Sequence, residues 1–420
     1  QNPVLSLPSE KTSIKLDESF RGESLMKIQK VLGWILMSAV FSITAISTAQ
    51  ASRLNTGFYN NASGSPLLPL LQSAKKQIDI EVYQMEDTTI IDTLRAALKI
   101  GIKVRIIQEP TPFEKGSCLV FTAASARDNA ACADEKQLVK DVIRAGGSYV
   151  AFNKDLCGSG ATNCFEHGKM AIVDEQTALI STGNYNATNL CDLAANPSVC
   201  NRDYTYAVNS PNLIYALESI FQNDLIGTPY NLPSILSQYA VADTLVVSPY
   251  SMQPMVDFIN SAQSSIQLQN QYVDDPTLVS ALAAAAQRGV IVQVMVTSLC
   301  AFGTPHPNDL QYATSIFNQL DAAGVQSRFF SSSIAIDGKP GYLHAKAIIV
   351  DGNRAWLGSV NGSTTAITKN REFSLFFNAP GDVVALSQIM SADFGSAGSE
   401  DFNESANCVK DNATAGSPQD

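Results

Sequence analysis

Residues 73–107 and 261–295 of this 420-residue chain align without a gap at an offset of 188. Ser73-Ala74 matches Ser261-Ala262. Ile78, Ile80, Asp87, Thr89, Leu94 and Gly101 match Ile266, Leu268, Asp275, Thr277, Leu282 and Gly289. Each copy reads as strand, helix, strand. IDIEVYQ (78–84) and IQLQNQY (266–272) are strand-like, and IKVRII (102–107) and VIVQVMV (290–296) follow. The helices between them start near Thr88 and Pro276 and end at Gly101 and Gly289, where a left-handed cap suits glycine. Short strands around a helix imply a right-handed βαβ unit with parallel pairing. A duplicated unit predicts two similar α/β lobes.

The three histidines are His167, His306 and His344, and two of them open the same constellation. FEHGKMAIVDEQTALISTGNYN gives His167, Lys169 and Asp174; YLHAKAIIVDGNRAWLGSVNGS gives His344, Lys346 and Asp351. Ten residues beyond each Asp stands Asn184 or Asn361, preceded two positions earlier by Thr182 or Ser359. In a strand, residues i and i+2 share a face, so each His sits beside its Lys. Asp351-Gly352-Asn353 is a turn signal. A two-residue loop at Gly352-Asn353 predicts His344 opposite Asn361 and Lys346 opposite Ser359. The same construction at Glu175-Gln176 pairs His167 with Asn184 and Lys169 with Thr182. Imidazole, ammonium, amide and hydroxyl on one face suit a phosphate: Lys brings charge, and the neutral groups bond non-bridging oxygens. A histidine serves as nucleophile or proton donor near neutral pH.

On these residues the chain resembles the phospholipase D superfamily, whose signature is a duplicated HxKxxxxD followed by a GSxN-like element. The resemblance covers most of residues 66–396. It implies a pseudo-two-fold α/β fold of two phospholipase D-like lobes, each a mixed sheet flanked by helices, with the active site at their interface. It also implies metal-independent phosphodiester cleavage in two steps, through a phosphohistidine and without a cofactor. By position His167 is then the nucleophile and His344 the acid and base. Lys169, Lys346, Asn184 and Asn361 bind phosphoryl oxygens, helped by Thr182 and Ser359. NRDYTYAV and NREFSLFF place Asp203 and Glu372 as carboxylates that orient an imidazole. Asp174 and Asp351 are expected to be structural. The first copy has Ser181-Thr182 where the family pattern is Gly-Ser. His306, in CAFGTPHPND, is expected in a solvated loop.

Met26 to Ala51 has a basic start, an apolar run from Val31 to Ile46 and a small-residue Ala49-Gln50-Ala51 site, which predicts a signal peptide at 26–51. Residues 1–25 are expected to be upstream sequence. The lobes are expected at 52–235 and 236–398, with a polar tail at 399–420. All eight cysteines lie beyond residue 51 and no CxxC occurs, so disulfides in a secreted or periplasmic protein are expected. Shortest loops pair 118–132, 157–164, 191–200 and 300–408. The first copy is longer between repeat and motif, and Asn184 to Asp203 spans 19 residues against 11 from Asn361 to Glu372. Insertions beside an active face shape access to it.

The net charge is −11, which speaks against a nucleic-acid partner. The expected function is a secreted phospholipase D, hydrolysing phospholipid at a membrane surface to phosphatidic acid and head-group alcohol, with exchange when an alcohol is present. No obligate protein partner is inferred. A secreted nuclease is the alternative, an inactive surface-binding module the third. Cardiolipin synthesis ranks lower, because that branch carries membrane helices and none is expected beyond residue 51.

Overall fold

The computed structural model describes residues 54–110, 130–158, 163–192 and 196–411, with side chains of the helix Ala130–Arg144 described from residue 133. Residues 26–51, where a signal peptide is expected, and Cys118 lie outside these, and the side chain of Cys132 lies outside those described. The strands are β1 (Gly57–Asn60), β2 (Gln77–Val82), β3 (Lys103–Gln108), β4 (Ser148–Ala151), β5 (Lys169–Val173), β6 (Thr177–Ser181), β7 (Tyr204–Val208), β8 (Leu245–Ser248), β9 (Ser265–Asn270), β10 (Ile291–Thr297), β11 (Gln326–Phe330), β12 (Lys346–Val350), β13 (Arg354–Gly358), β14 (Glu372–Phe377) and β15 (Ser399–Glu400). They form two mixed sheets, β1-β7-β6-β5-β2-β3-β4 and β15-β11-β10-β9-β12-β13-β14-β8. Apart from β15 the second order repeats the first strand for strand. In each, three parallel strands (β2-β3-β4, β9-β10-β11) continue into an antiparallel set. Helices cover the outer faces over two apolar cores. A third core lies between the sheets and draws on both, with β5–β7 and β12–β14 contributing from either side.

The matched residues of the repeat have local causes. Asp87 caps the helix Thr88–Lys99 by accepting from the N–H groups of Thr89 and Ile90, at 2.8 and 3.0 Å. Asp275 does the same for Pro276–Gln287, from Thr277 and Leu278 at 2.9 and 3.0 Å. Gly101 and Gly289 leave these helices at φ +84° and +91°, a region costly for any residue with a Cβ.

Asp174 and Asp351 explain both their own presence and an error in the expected register. Each takes a left-handed φ, +54° and +53°. Each carboxylate turns aside to accept backbone N–H groups from the segment entering the first strand of its unit. For Asp174 the donors are Lys75, Lys76 and Gln77; for Asp351 they are Gln263, Ser264 and Ser265. The Asp therefore belongs to the loop, which has three residues, not two. Met170 pairs with Ile180 and Ala347 with Leu357, one position from the expected partners Ser181 and Gly358. A one-residue slip moves every side chain to the other face, so the ladder pairings of His344 with Asn361 and Lys346 with Ser359, and their first-copy equivalents, do not form.

Two expected boundaries also shift. The division at 235/236 falls inside the helix Leu232–Gln238, and the second sheet begins at Leu245. The tail is built into the second lobe as far as Asp411: β15 pairs antiparallel with β11, and Cys408 bonds Cys300. Cys157–Cys164 and Cys191–Cys200 are the other described disulfides.

Asp351 yields a stability prediction. Burial raises its carboxyl, but the three N–H groups and the Ser264 hydroxyl outweigh that and hold it below the usual range. Asp351→Ala is expected to lose about 1–2 kcal/mol, as for removal of a capping acceptor. A depressed carboxyl stabilises above its unfolded pKa of about 3.9 and stops doing so as pH falls through the folded value. The gap in melting temperature between wild type and variant should therefore be full at pH 6 and shrink below pH 4.

Candidate active site

The segment Phe165–His167 precedes β5 and runs beside Arg371 of the other lobe. Arg371 N–H donates to Phe165 O at 2.9 Å and His167 N–H to Arg371 O at 2.9 Å. The counterpart is Tyr342–His344 beside Arg202, where Arg202 N–H donates to Tyr342 O at 2.9 Å and His344 N–H to Arg202 O at 3.1 Å. The residue after each Arg is the expected carboxylate, so the backbone pairing delivers it across the lobe boundary. His167 Nδ1 lies 2.9 Å from both carboxylate oxygens of Glu372, and His344 Nδ1 lies 2.8 Å from Asp203 Oδ1. Each histidine is thus held by the other lobe's carboxylate, a crossing the sequence did not reveal. All four side chains are buried.

Both carboxylates are fixed in turn. Asn370 Nδ2 donates to Glu372 Oε1 at 3.0 Å, and its Oδ1 accepts from Phe165 N–H at 3.0 Å. Thr182 Oγ1 donates to Asp203 Oδ1 at 2.6 Å and Asn189 Nδ2 to Asp203 Oδ2 at 2.7 Å. Asn370 and Asn189 were not foreseen. Asn370 had a signal, since it opens the Asn-Arg-Glu triplet; Asn189, in the short helix Ala187–Leu190 where the second copy has Ala366, had none.

Lys169 Nζ donates to His167 O at 2.7 Å, with the Tyr83 ring 5.5 Å away. Lys346 Nζ lies 2.9 Å from His344 Nε2 and 3.2 Å from Thr182 O of the other lobe. Asn184 and Asn361 are buried, and Asn361 Oδ1 has no hydrogen-bond partner among the described residues. Thr182 and Ser359 require a correction. The single hydroxyl proton of Thr182 goes to Asp203, and its oxygen accepts from Tyr204 N–H at 2.9 Å. Ser359 Oγ accepts from Phe373 N–H at 2.9 Å and lies 3.3 Å from Phe373 O. These hydroxyls build the walls of the site.

Each Arg is neutralised from behind. Arg202 forms a two-point ion pair with Asp393 (2.9 and 2.8 Å), and Arg371 one with Asp224 (2.9 and 3.0 Å). The disulfides Cys157–Cys164 and Cys191–Cys200 end just before Phe165 and Asn201, so the first copy's insertions are stapled where the chain enters the site. His306 is exposed and caps the helix Pro307–Ala322 through Nδ1.

A family model described as cardiolipin synthase, PLD-like domain matches residues 67–225 and 255–396. The chain belongs to the phospholipase D superfamily. Among curated superfamily relatives, a probable cardiolipin synthase of Bacillus subtilis is 24% identical over 330 residues, covering 73% of this chain and 59% of that protein. Cardiolipin synthase A of Pseudomonas aeruginosa is 26% identical over 269 residues, 60% of this chain and 51% of the relative. The chain thus spans 51% and 59% of the length of these two relatives. A solved phosphatidylserine synthase from Haemophilus influenzae shares the phospholipase D fold with a TM-score of 0.57 at 14% identity, covering 83% of this chain and 91% of that one. A polyphosphate kinase from Porphyromonas gingivalis matches with a TM-score of 0.55 at 16% identity, over 84% and 52%.

The tightness of the crossing is testable at Gly168. A Cβ there would lie 2.6 Å from Glu166 Oε1 and 2.6 Å from the Phe373 ring. Gly168→Ala is expected to cost about 1–3 kcal/mol by overpacking, read as a lowered denaturation midpoint. The second copy carries Ala345 at this position.

Proposed function

We propose that the protein is a phospholipid phosphodiesterase that moves a phosphatidyl group onto an alcohol, or onto water, through a phosphohistidine. The observation that carries this is the crossed pair of dyads. With Nδ1 of each imidazole tied to a carboxylate, Nε2 is the nitrogen left for chemistry, and a lysine and an asparagine accompany each ring.

Following the resemblance, His167 Nε2 attacks phosphorus and the bond from phosphorus to the head-group oxygen breaks. His344 gives that oxygen its proton. In the second step His344 takes the proton of the incoming alcohol, whose oxygen attacks phosphorus as the phosphorus–nitrogen bond breaks. Glu372 and Asp203 hold the rings and offset their positive charge, as carboxylates do in hydrolase triads. Lys169, Lys346, Asn184 and Asn361 bind the non-bridging oxygens.

The relatives' names favour transfer of the cardiolipin synthase type over plain hydrolysis, reversing the order expected from sequence. No described helix is long and apolar enough to cross a membrane. The three described disulfides support an oxidising compartment, and with it export.

The test uses the purified chain with phosphatidylglycerol vesicles, added alcohol and EDTA, beside His167→Ala and His344→Ala. Wild type should form the exchanged phospholipid, and each variant should lose at least about 10²-fold, the range for removal of a positioned acid or nucleophile. Acid-labile, base-stable phosphate from labelled lipid should be trapped on wild type and absent in His167→Ala. Cleavage of DNA with no lipid turnover would overturn the reading.

A further inference from the structure

The two histidines share a carboxylate on Nδ1, but Asn189 Nδ2 lies 2.9 Å from His344 Nδ1 where the second copy has Ala366, and their surroundings farther back differ too. On the His344 side the Arg202–Asp393 pair adjoins Gln269, whose Nε2 donates to Asp393 at 3.0 Å and whose Oε1 accepts from Tyr204 O–H at 2.6 Å. In the repeat Gln269 corresponds to Glu81, and Leu343, next to His344, to Glu166, next to His167. The His167 side therefore holds two additional carboxyl groups. Both are fully buried, and among the described residues no N–H or hydroxyl donates to any of their four oxygens.

Glu81 projects from β2 and reaches Asp224 on the helix Pro211–Ile226 and Glu166 on the segment before β5. The groups facing this cluster are Arg371, just before β14, Glu372 at its start, whose carboxylate holds His167 Nδ1, and Tyr230, which donates to Asp224 at 2.8 Å. Glu109, paired with Lys154, accepts from Glu166 N–H at 2.8 Å. Farther along β2, Asp79 pairs with Arg105, which also meets Glu218. Arg371 is already matched by Asp224. Two further buried carboxylates with no described donor, sharing the single charge of Arg371 with Asp224, are not a stable arrangement. Two carboxylic acids are, because each O–H then donates to a neighbouring carboxyl oxygen.

We infer that Glu81 and Glu166 carry protons in the resting protein and act as positioning residues for His167, forming a titratable wall behind one histidine that the other lacks. Burial first, and then the charges of Asp224 and the other carboxylates, drive both groups well above the usual glutamate range. Protonated, the wall adds no charge, and Glu372 is left as the carboxylate that faces the His167 ring. Ionised, it would place negative charge behind His167 alone and hold that ring in its protonated form, which cannot attack phosphorus. A cavity of about 390 Å³ lined by Arg371, Tyr230, Cys157 and Pro249 lies on the far side of Arg371 and Tyr230, and neither glutamate lines it.

The functional half rests on the phosphohistidine reading, so the test has an arm that needs no turnover. Infrared spectra of the full chain at neutral pH should show a protonated-carboxyl band that weakens in both Glu81→Gln and Glu166→Gln and disappears from wild type at alkaline pH. A raised acid destabilises the fold as pH climbs past the unfolded value of about 4.3. The Gln variants should accordingly match wild type near pH 4 and surpass it at pH 8 in melting temperature. Absence of the band, or a band of undiminished intensity in both variants, overturns the proton assignment whether or not lipid is turned over.

In the activity arm, Glu81→Gln, which copies the second lobe, should keep neutral-pH turnover within about two-fold and move the alkaline limb of kcat up by about one pH unit or more. An unmoved limb beside a normal band change overturns the positioning role. A wild type without turnover overturns the phosphohistidine reading and with it the positioning role, leaving the proton assignment to the spectra and melting curves.

Discussion

The structure turns on one repeated contact: a histidine strand of one lobe laid against the Arg-carboxylate strand of the other. Two backbone hydrogen bonds set each crossing, and the histidine–carboxylate bond follows from them. Neither lobe alone could complete its own dyad. The buried Arg202–Asp393 and Arg371–Asp224 pairs are poor sources of net stability, because desolvating two ions consumes most of their attraction. They are better understood as fixing where the Arg backbone must lie, and the apolar core shared by the two sheets supplies the cohesion. Two disulfides tighten the same place by ending where the chain enters each crossing on the first-lobe side.

Much of this was legible in the sequence because duplication turns weak signals into paired ones. Asp87 and Asp275 stood out as matched residues before their capping role was known, and the same holds for Gly101 and Gly289. The triplets Asn201-Arg202-Asp203 and Asn370-Arg371-Glu372 announced equivalent carboxylates. Their partners could not be read, since nothing in a linear repeat distinguishes a carboxylate serving its own lobe from one serving the other. The hairpin register failed for a local reason. Asp174 and Asp351 look like the last residues of apolar strands, yet their carboxylates are drawn to the N–H groups of Lys75–Gln77 and Gln263–Ser265, which requires a left-handed backbone and lengthens the loop by one residue. Thr182 and Ser359 were placed on a phosphate-facing ladder by that same error.

The C-terminal segment shows the converse limit. Ser399 to Lys410 is polar and reads as a loose tail, but it holds the second sheet's edge by specific bonds. Ser298 Oγ donates to Glu400 Oε2 at 2.9 Å, Lys410 N–H donates to Glu400 Oε1 at 2.9 Å, and Cys408 bonds a cysteine 108 residues earlier. Such a segment gains its place from a disulfide and buried polar contacts, and neither leaves a hydrophobic pattern. In the chain-entropy view a loop of about 100 residues is one whose closure restricts the unfolded chain by several kcal/mol.

A duplicated site presents a chemical problem: symmetry supplies two equal histidines, and a two-step displacement needs one that begins without a proton on Nε2 and one that begins with it. The residues that touch the rings are of the same types on both sides, apart from Asn189, which stands beside His344 alone. Divergence is instead concentrated one layer back, where Glu81 and Glu166 stand against Gln269 and Leu343. That layer acts on the ring through Glu372, whose carboxylate both faces Glu166 and holds His167 Nδ1. Glu81 lies within β2 and Glu166 before β5, and no motif marks either. The absence of described donors around them is what points to protons of their own, and the inferred wall then stands behind the histidine that the resemblance names as nucleophile.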